Sequence, residues 1–366
     1  MKINEIRTVC VPEEHKIKVI CNVTWQKGEK ILEHTIESKY YEELKEINPE
    51  FIIASCLPTA MLFNEDIDCS NYPLDSVFLS NIHYLQDRWI AYPNVSTSAQ
   101  CYAFIHKGKS VLHKINVVST PKNNLFPTYK TRIGATFSGG VDSLYTLLSL
   151  DNLTDIINIP TMNDPVNGVA VSLVKKLRPE LRIHRAYISD FNHYNNWLPF
   201  FHDAFLASAP LLFSNYITQV QISGTPKCLG MDMGSSADSD YLWSSAYMRF
   251  SYYGMQTRLE KVRYLASHAQ NQIVFSGMQI CSDAKKRKPG QTNCGHCWKC
   301  LITMLCFDCL GFRNKVTAFS YKKFENNIIK YLPKNLDVKF ELPAIIDEYK
   351  KRKQHDIIEI LNKKLI

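Results

Sequence analysis

The chain has 366 residues, which suggests two domains, because one domain usually contains about 100 to 200 residues. Hydrophobic residues make up 45% of it, yet no apolar run reaches the ~18 residues of a membrane span, which argues against a membrane protein. The formal net charge of +8 favours anionic substrates or nucleic acid as partners. Residues 1–5 lack the hydrophobic segment of a secretory signal, so a cytoplasmic location is expected.

The first 125 residues predict a mixed α+β accessory domain that lacks a cluster of catalytic residues. Residues 16–25 alternate between polar and apolar side chains, as a half-buried strand does. Further elements are predicted as short strands at 51–55, 100–106 and 110–118 and a helix at 40–47. The polar, turn-rich segment from Pro121 to Asn124 marks the end of this domain.

From residue 126 onward strands and helices alternate, which predicts an α/β fold with a doubly wound parallel sheet. The predicted strands are 131–136, 156–159, 181–187 and 217–222, and the helices that follow the first three begin near 141, 165 and 197. Ligands of such sheets bind beyond the carboxyl ends of the strands. This domain is predicted to end at residue 320, and residues 321–366 are predicted to form a helical tail.

A polar loop, Ser138-Gly139-Gly140-Val141-Asp142-Ser143, joins the first of these strands to its helix. The first N–H groups of a helix have no intrahelical acceptor and the helix dipole is positive there, so the loop suits a phosphate. Two glycines allow close approach of the backbone, and Ser138 and Ser143 add hydroxyl donors. Asp142 fits this site if a divalent ion such as Mg²⁺ bridges it to the phosphates. A serine-capped helix without a ligand is the alternative.

Six of the twelve cysteines lie between residues 281 and 309. Four of these suit tetrahedral Zn²⁺, one upstream and three in a C-x-x-C-x-x-C turn: Cys281, Cys294, Cys297 and Cys300. An iron–sulfur cluster uses the same ligands and remains open. Disulfides are disfavoured because a secretory signal is lacking. Cys306 and Cys309 follow in an apolar helix and are predicted to pack in the core, and His296 is expected to be a loop residue rather than a ligand.

The loop resembles the SGGxDS pyrophosphate loop of the N-type ATP pyrophosphatases, with every defining position filled. Together with the cysteine pattern it is similar to 7-cyano-7-deazaguanine synthases of the QueC type and to the wider set of QueC-like proteins. The resemblance spans roughly residues 131–312 and implies a HUP-type fold, which is adenine nucleotide alpha hydrolase-like. Unlike the synthases, this chain has a long segment before its loop, a longer spacing between Cys281 and Cys294, and a different segment at 234–245.

The resemblance implies an ATP-dependent, AMP-forming ligase. ATP would adenylate a carboxylate or amide, such as that of a deazapurine, with release of pyrophosphate, and ammonia or an amine would then displace AMP. Asp142 and Ser143 would act in catalysis, loop 138–143 would bind ATP with Mg²⁺, and Zn²⁺ would be structural. The expected partners are ATP and a carboxylate-bearing small molecule. The sequence also leaves open whether the chain forms a homodimer. It leaves open as well a protein or nucleic-acid acceptor that binds to the basic run 285–288.

Two other functions stay open: a tRNA-thiolating enzyme with a pyrophosphate loop, and a non-catalytic nucleotide-binding subunit of a defence or modification system. Several other polar groups are candidates for a role near the phosphate loop, and a surface role is the alternative for each. They are residues 223–225 after the fourth strand, the acidic Asp232, Asp238 and Asp240, and the cations Arg258, Lys261 and Arg263. Arg258 and Lys261 are one helical turn apart and can face one anion, although Glu260 offers them a surface partner.

Overall fold

The computed structural model of this protein describes residues 1–44, 46–95, 112–123, 131–160, 167–189, 199–226, 235–281, 287, 291–334 and 336–365. The strands in this part of the chain are β1 (Lys2–Val11), β2 (Lys16–Trp25), β3 (Gly28–Glu37), β4 (Ile67–Asp68), β5 (Leu74–Asp75), β6 (Val117–Val118), β7 (Pro121–Lys122), β8 (Ile133–Phe137), β9 (Asp155–Asn158), β10 (Arg182–Tyr187), β11 (Gln219–Ser223) and β12 (Arg249–Tyr253).

The helices in the same ranges are α1 (Glu50–Phe63), α2 (Ser76–Val95), α3 (Val141–Ser149), α4 (Asn167–Leu177), α5 (Pro199–Leu211), α6 (Arg258–Ser267), α7 (Asn271–Gly277), α8 (Trp298–Cys309), α9 (Phe324–Tyr331), α10 (Leu336–Lys351) and α11 (His355–Leu365). The last three occupy most of the predicted helical tail. Among the described residues, no helix combines the length and the apolar character that a membrane crossing requires.

Ten of the strands form one continuous sheet in the order β12-β11-β8-β9-β10-β3-β2-β1-β4-β6, and β5 pairs with β7 in a small second sheet. The five strands from β12 to β10 are parallel to one another. Strands β3, β2 and β1 form an antiparallel meander beside β10. The predicted α/β fold with a parallel sheet in the carboxy-terminal half is therefore confirmed.

Helices cover both faces of the parallel strands. Ile156 and Ile157 are neighbours in β9 and both are fully buried. Since successive side chains of a strand point to opposite faces, both faces of β9 are covered. Ile156 belongs to a core that includes α3, α4 and the helices from α6 onward. Ile157 belongs to a second core, formed with α1, α2, α5 and the meander. Strand β9 thus lies buried between two layers of helices, as expected of a doubly wound arrangement.

Residues 51–55, predicted as a strand, lie in helix α1, so that prediction is wrong. Every side chain from Glu50 to Met61 is buried, and an apolar run without a polar face has no period that separates a strand from a helix. The helix predicted at 40–47 is a short 3-10 turn at Tyr41–Leu44. Of the strand predicted at 110–118, the described residues contain only β6, and residues 100–106 lie outside the described part.

A buried polar network joins the meander to the parallel strands where β3 lies beside β10. The His184 ring lies 2.9 Å from Ser38 Oγ through Nδ1 and 2.9 Å from Asp155 Oδ1 through Nε2. Arg132 forms an ion pair with the same carboxylate. Burial raises the pKa of Asp155, but hydrogen bonds with His184, Arg132 and Thr154 outweigh burial and hold that pKa at about 2. The two halves of the sheet are therefore joined by specific polar contacts as well as by backbone pairing.

The described part of the connection from β11 to β12, residues 235–248, packs against the amino-terminal half. The Trp243 ring lies 6.4 Å from that of Phe78 and 6.0 Å from that of Trp89, both in α2. Its indole N–H donates to Asp203 Oδ1 in α5 at 2.8 Å. These contacts fix residues 235–248, which lead into β12.

Glu50, the first residue of α1, is a buried carboxyl in the same half. Its Oε1 accepts the N–H of Asp75 at 3.1 Å, whereas Oε2 has no hydrogen-bond partner among the described residues. Burial raises the pKa of Glu50 to about 7, from 4.5 for a free carboxyl. The folded protein thus keeps a proton on Glu50 that the unfolded chain releases in mildly acidic solution.

We expect the free energy of unfolding to fall as the pH rises from about 4.5 to about 7, since Glu50 binds more protons in the folded state over this range. Glu50→Gln should weaken this pH dependence, to which the buried Asp240 also contributes because burial raises its pKa, and should raise stability above pH 7 by on the order of 2 kcal/mol. Urea unfolding measured on either side of this range tests it, with the exposed Glu46→Gln as control. An equal loss of stability at both pH values would contradict a protonated Glu50.

Candidate functional site

The predicted phosphate loop, residues 138–143, connects the carboxyl end of β8 to the beginning of α3. Gly139 has φ +80°, a left-handed conformation that residues with a Cβ disfavour. Its carbonyl accepts from Gln279 N at 2.8 Å, and a Cβ on Gly139 would meet Gln279 Cβ at 3.4 Å. The backbone conformation therefore favours glycine at this position.

The two loop serines lie together. Ser143 Oγ is 3.4 Å from both Ser138 N and Ser138 Oγ, and it donates to Gly140 O at 3.2 Å. Ser138 is exposed, while Ser143 is buried beneath the turn. The hydroxyls and the first N–H groups of α3 make a compact set of donors at the edge of the sheet, which suits an anion.

The loop lies at a switch point of the sheet, because β8 is followed by β9 on one side and later by β11 on the other. Ligands of doubly wound sheets bind in the crevice at such a point. As predicted, residues 223–225 reach the same edge, since β11 runs parallel to β8. Asn158 Oδ1 and Thr225 Oγ1, at the ends of the two neighbouring strands, are buried and lack hydrogen-bond partners among the described residues. A bound molecule could satisfy them.

Two buried cations of α6 contact the loop. Lys261 Nζ lies 2.6 Å from Asp142 Oδ1 and also donates to the carbonyl of Gly224. Arg258 Nη2 lies 3.4 Å from Asp142 Oδ2. Burial lowers the pKa of Lys261, an effect that Asp142 opposes. Glu260, the alternative partner, instead caps the first turn of its own helix, so the two cations do face one anion, and that anion is Asp142.

A second carboxylate reaches this cluster from helix α10. Glu341 is only 2% exposed, and its Oε1 lies 4.0 Å from Arg258 Nε. Asp142, Glu341, Arg258 and Lys261 thus form a cluster with two charges of each sign, which is formally neutral. The sequence does not point to Glu341, because an acidic residue in an amphipathic helix far along the chain carries no signal of burial.

The acidic residues of the long loop do not join the phosphate loop in the described part of the chain. Asp238 Oδ2 pairs with Arg88 Nη2 of α2 at 2.5 Å. Asp240 is buried and accepts from Ser235 Oγ at 3.0 Å, and burial raises its pKa. Asp232 lies outside the described residues. Among the described residues, Asp238 and Asp240 thus have Arg88 and Ser235 as partners.

The ligand atoms of the predicted cysteine set lie within 4.8 Å of one another: Cys281, Cys294, Cys297 and Cys300. The Sγ atoms are 3.9 Å apart in the pair Cys294–Cys300 and 4.0 Å apart in the pair Cys281–Cys297. A tetrahedral ion with Zn–S bonds of about 2.3 Å requires sulfur separations of about 3.8 Å. The four thiols therefore fit Zn²⁺, and the prediction of a cysteine cluster that could hold a metal is confirmed.

Neighbouring residues take the secondary roles that the sequence predicted. Cys306 and Cys309 are fully buried in α8 and belong to its hydrophobic core. His296 lies outside the four-cysteine cluster, and its Nδ1 is 2.8 Å from the carbonyl of Cys294. Gly295 has φ +70°, so the sharp bend between the first two cysteines of the turn requires glycine.

Asn293 connects the two segments that carry the cysteines. Its Oδ1 accepts from the N–H groups of Ile280 at 2.7 Å and Cys281 at 3.1 Å. Its Nδ2 donates to the carbonyls of Met278 at 2.9 Å and Ala318 at 3.1 Å. All four hydrogen-bonding positions of this buried amide are used, which holds Cys281 in place relative to the C-x-x-C-x-x-C turn.

The cysteine centre lies beside the phosphate loop. Gln279, which bonds to the carbonyl of Gly139, precedes Cys281 by two residues. Arg287 donates to the carbonyl of Cys281 at 2.8 Å, and the other residues of the basic run 285–288 lie outside the described part. A structural change at the cysteine centre should therefore also change the phosphate loop, because a short stretch of backbone, residues 279–281, connects the two.

No family model and no curated protein matches this chain. Among solved structures, the chain is weakly similar to a Type III CRISPR defence DNA nuclease activated by cyclic oligoadenylate, with 10% sequence identity over 95% of this chain and 56% of that chain. The chain thus spans about half the length of that nuclease. The TM-score of 0.24 is too low to show a common fold, so this likeness carries no argument. Membership of the QueC-like proteins stays a prediction, which rests on the loop and the cysteine pattern.

Proposed function

We propose that this protein is an ATP-dependent, AMP-forming ligase of the QueC-like type, built on a HUP-type fold. The observation that carries the proposal is the loop 138–143 at the switch point of the parallel sheet, with the buried cations Arg258 and Lys261 beside it. Hydroxyls and helix N–H groups suit the pyrophosphate part of ATP. Fixed cations suit the negative charge that develops as the α-phosphate reacts.

The charge balance of the cluster supports a requirement for a divalent ion. Asp142 and Glu341 already neutralise Arg258 and Lys261, so a bound triphosphate would bring uncompensated negative charge. Mg²⁺ bound with ATP would supply the missing positive charge. The role assigned to Asp142 in this proposal is to hold the two cations at the edge of the loop.

The proposed reaction has two steps. A carboxylate or amide oxygen of the acceptor attacks the α-phosphorus, and the bond from that phosphorus to pyrophosphate breaks. Ammonia or an amine then attacks the activated carbon, AMP leaves with the electron pair of the carbon–oxygen bond, and the nitrogen loses a proton to solvent. Ser138, Ser143 and Lys261 would position and stabilise the phosphates, so catalysis would depend on orientation and electrostatics rather than on a protein nucleophile.

Zn²⁺ bound by the four cysteines would stabilise the segment that contains Gln279 and Asn293, and thereby the loop at Gly139. The deazapurine acid that the resemblance implies is the first acceptor to test. A larger amine acceptor, such as a protein, is the second, because this chain has a long amino-terminal half that the synthases lack.

Pyrophosphate release measured with ATP, Mg²⁺ and a panel of carboxylated purines, with ammonium or protein amines, tests the proposal. We expect pyrophosphate release that depends on both ATP and an acceptor. The loop variant Ser143→Ala should abolish this release. Ser149→Ala is the matched control, since Ser149 lies at the far end of the same helix and donates to Tyr145 O. ATP binding without turnover across the panel would favour the nucleotide-binding subunit, and iron with labile sulfide would favour tRNA thiolation.

A further inference from the structure

Positive charge is concentrated in the carboxy-terminal helices. Residues 313–366 contain thirteen Lys and Arg against seven Asp and Glu, so they account for six of the eight net positive charges. Several of these lysines are compensated locally: Lys350 by Asp347, Lys351 by Glu348 and Lys363 by Glu359, at 2.7 to 2.9 Å. The net positive charge of this segment therefore comes from its other Lys and Arg residues.

Three lysines form a group without an acidic partner in the described part of the chain: Lys330, Lys334 and Lys364. Lys364 Nζ donates to the carbonyl of Ile329 at 2.8 Å, which places it against α9. Burial and the charge of Lys334 lower the pKa of Lys364, so these two like charges are close enough to repel. Like charges held together without compensation leave a positive surface that favours an anionic partner.

Exposed apolar side chains lie within this group of lysines. Tyr331 is 44% exposed and Ile329 is 55% exposed. Lys330 Nζ lies 5.1 Å from the centre of the Tyr331 ring, and the His296 ring lies 5.6 Å from it. We call the surface made of His296, Ile329, Lys330, Tyr331, Lys334 and Lys364 the lysine–tyrosine patch.

We propose that the lysine–tyrosine patch binds single-stranded nucleic acid. The lysines would contact backbone phosphates, and the exposed face of Tyr331 would stack on a base, a combination that single-strand-binding surfaces share. His296 belongs to the C-x-x-C-x-x-C turn, so a strand bound here would lie beside the cysteine centre. This binding is independent of ATP turnover and does not require the ligase function.

Fluorescence anisotropy with a labelled oligouridylate, measured without ATP over a range of salt concentrations, tests the proposal. Three phosphate contacts predict a slope of log K against log salt of about −2 for a single strand. Replacing Lys330, Lys334 and Lys364 together by Gln should bring the slope close to zero. Tyr331→Ala should weaken binding about tenfold and leave the slope unchanged, because it removes stacking and keeps the charges.

The matched control replaces Lys350, Lys351 and Lys363 by Gln, which removes the same charge from the carboxy-terminal segment at sites that are already paired. Equal losses in both triple variants, or no binding of oligouridylate or of oligothymidylate by the wild type, would overturn the proposal. Equally tight binding of polyglutamate or phosphatidylserine vesicles through the same residues would show a general anion surface and would also overturn it. Pyrophosphate release by the patch variants with small acceptors reports on the ligase function separately.

Discussion

Asp142→Ala should reduce pyrophosphate release by at least about a hundredfold, the usual effect of removing one stabilising group from a charged transition state. Asp142 is the group that brings Arg258 and Lys261 to the loop, so its loss leaves both cations without their shared partner. The fold should survive, because Lys261 Nζ also donates to the carbonyl of Gly224 and Arg258 keeps Glu341 as an acidic neighbour. The unfolding midpoint and pyrophosphate release are measured on the same preparations.

Two further variants separate the role of the carboxylate from that of the loop backbone. Asp142→Asn keeps the size of the side chain and removes its charge, so it should be nearly as inactive as the alanine variant. Gly139→Val should also abolish turnover, since φ at Gly139 is +80°, a conformation that β-branched residues strongly disfavour. Asp151→Ala is the control on the exposed turn after α3, and wild-type turnover in Asp142→Ala would refute the assignment.

Cys297→Ser should release the metal and strongly destabilise the protein. Structural zinc sites contribute about 10 to 16 kcal/mol of binding energy in isolated zinc domains, and that energy is available only to the folded state. Here the loss should disorder the segment around Cys281 and Asn293, and through Gln279 weaken the phosphate loop. Zinc content by mass spectrometry, the unfolding midpoint and ATP binding should therefore all fall.

The matched control for the metal is Cys306→Ser. This cysteine is fully buried and lies in the helix that follows the turn, but it is not one of the four clustered thiols. It should lose some packing energy and keep one zinc per chain. A Cys297→Ser protein that retains stoichiometric zinc would contradict the four-cysteine site.

Local chemistry explains what the sequence alone determined. The turn at residues 138–143 and the C-x-x-C-x-x-C motif are short segments whose glycines, hydroxyls and thiols act on near neighbours, so their spacing predicts their geometry. The alternation of strands and helices after residue 126 was also predictable, because a parallel strand needs a crossover helix before the next strand. In this half, β8 to β11 lie close to the predicted ranges.

Contacts between distant residues were decided only by the tertiary structure. The apolar run in α1 is buried on all sides, and a sequence without a polar face does not reveal whether it forms a helix or a strand. The network at Ser38, His184 and Asp155, which joins the two halves of the sheet, involves common polar residues far apart in the chain. Glu341 reaches Arg258 because α10 packs against the core, and no local pattern records that packing.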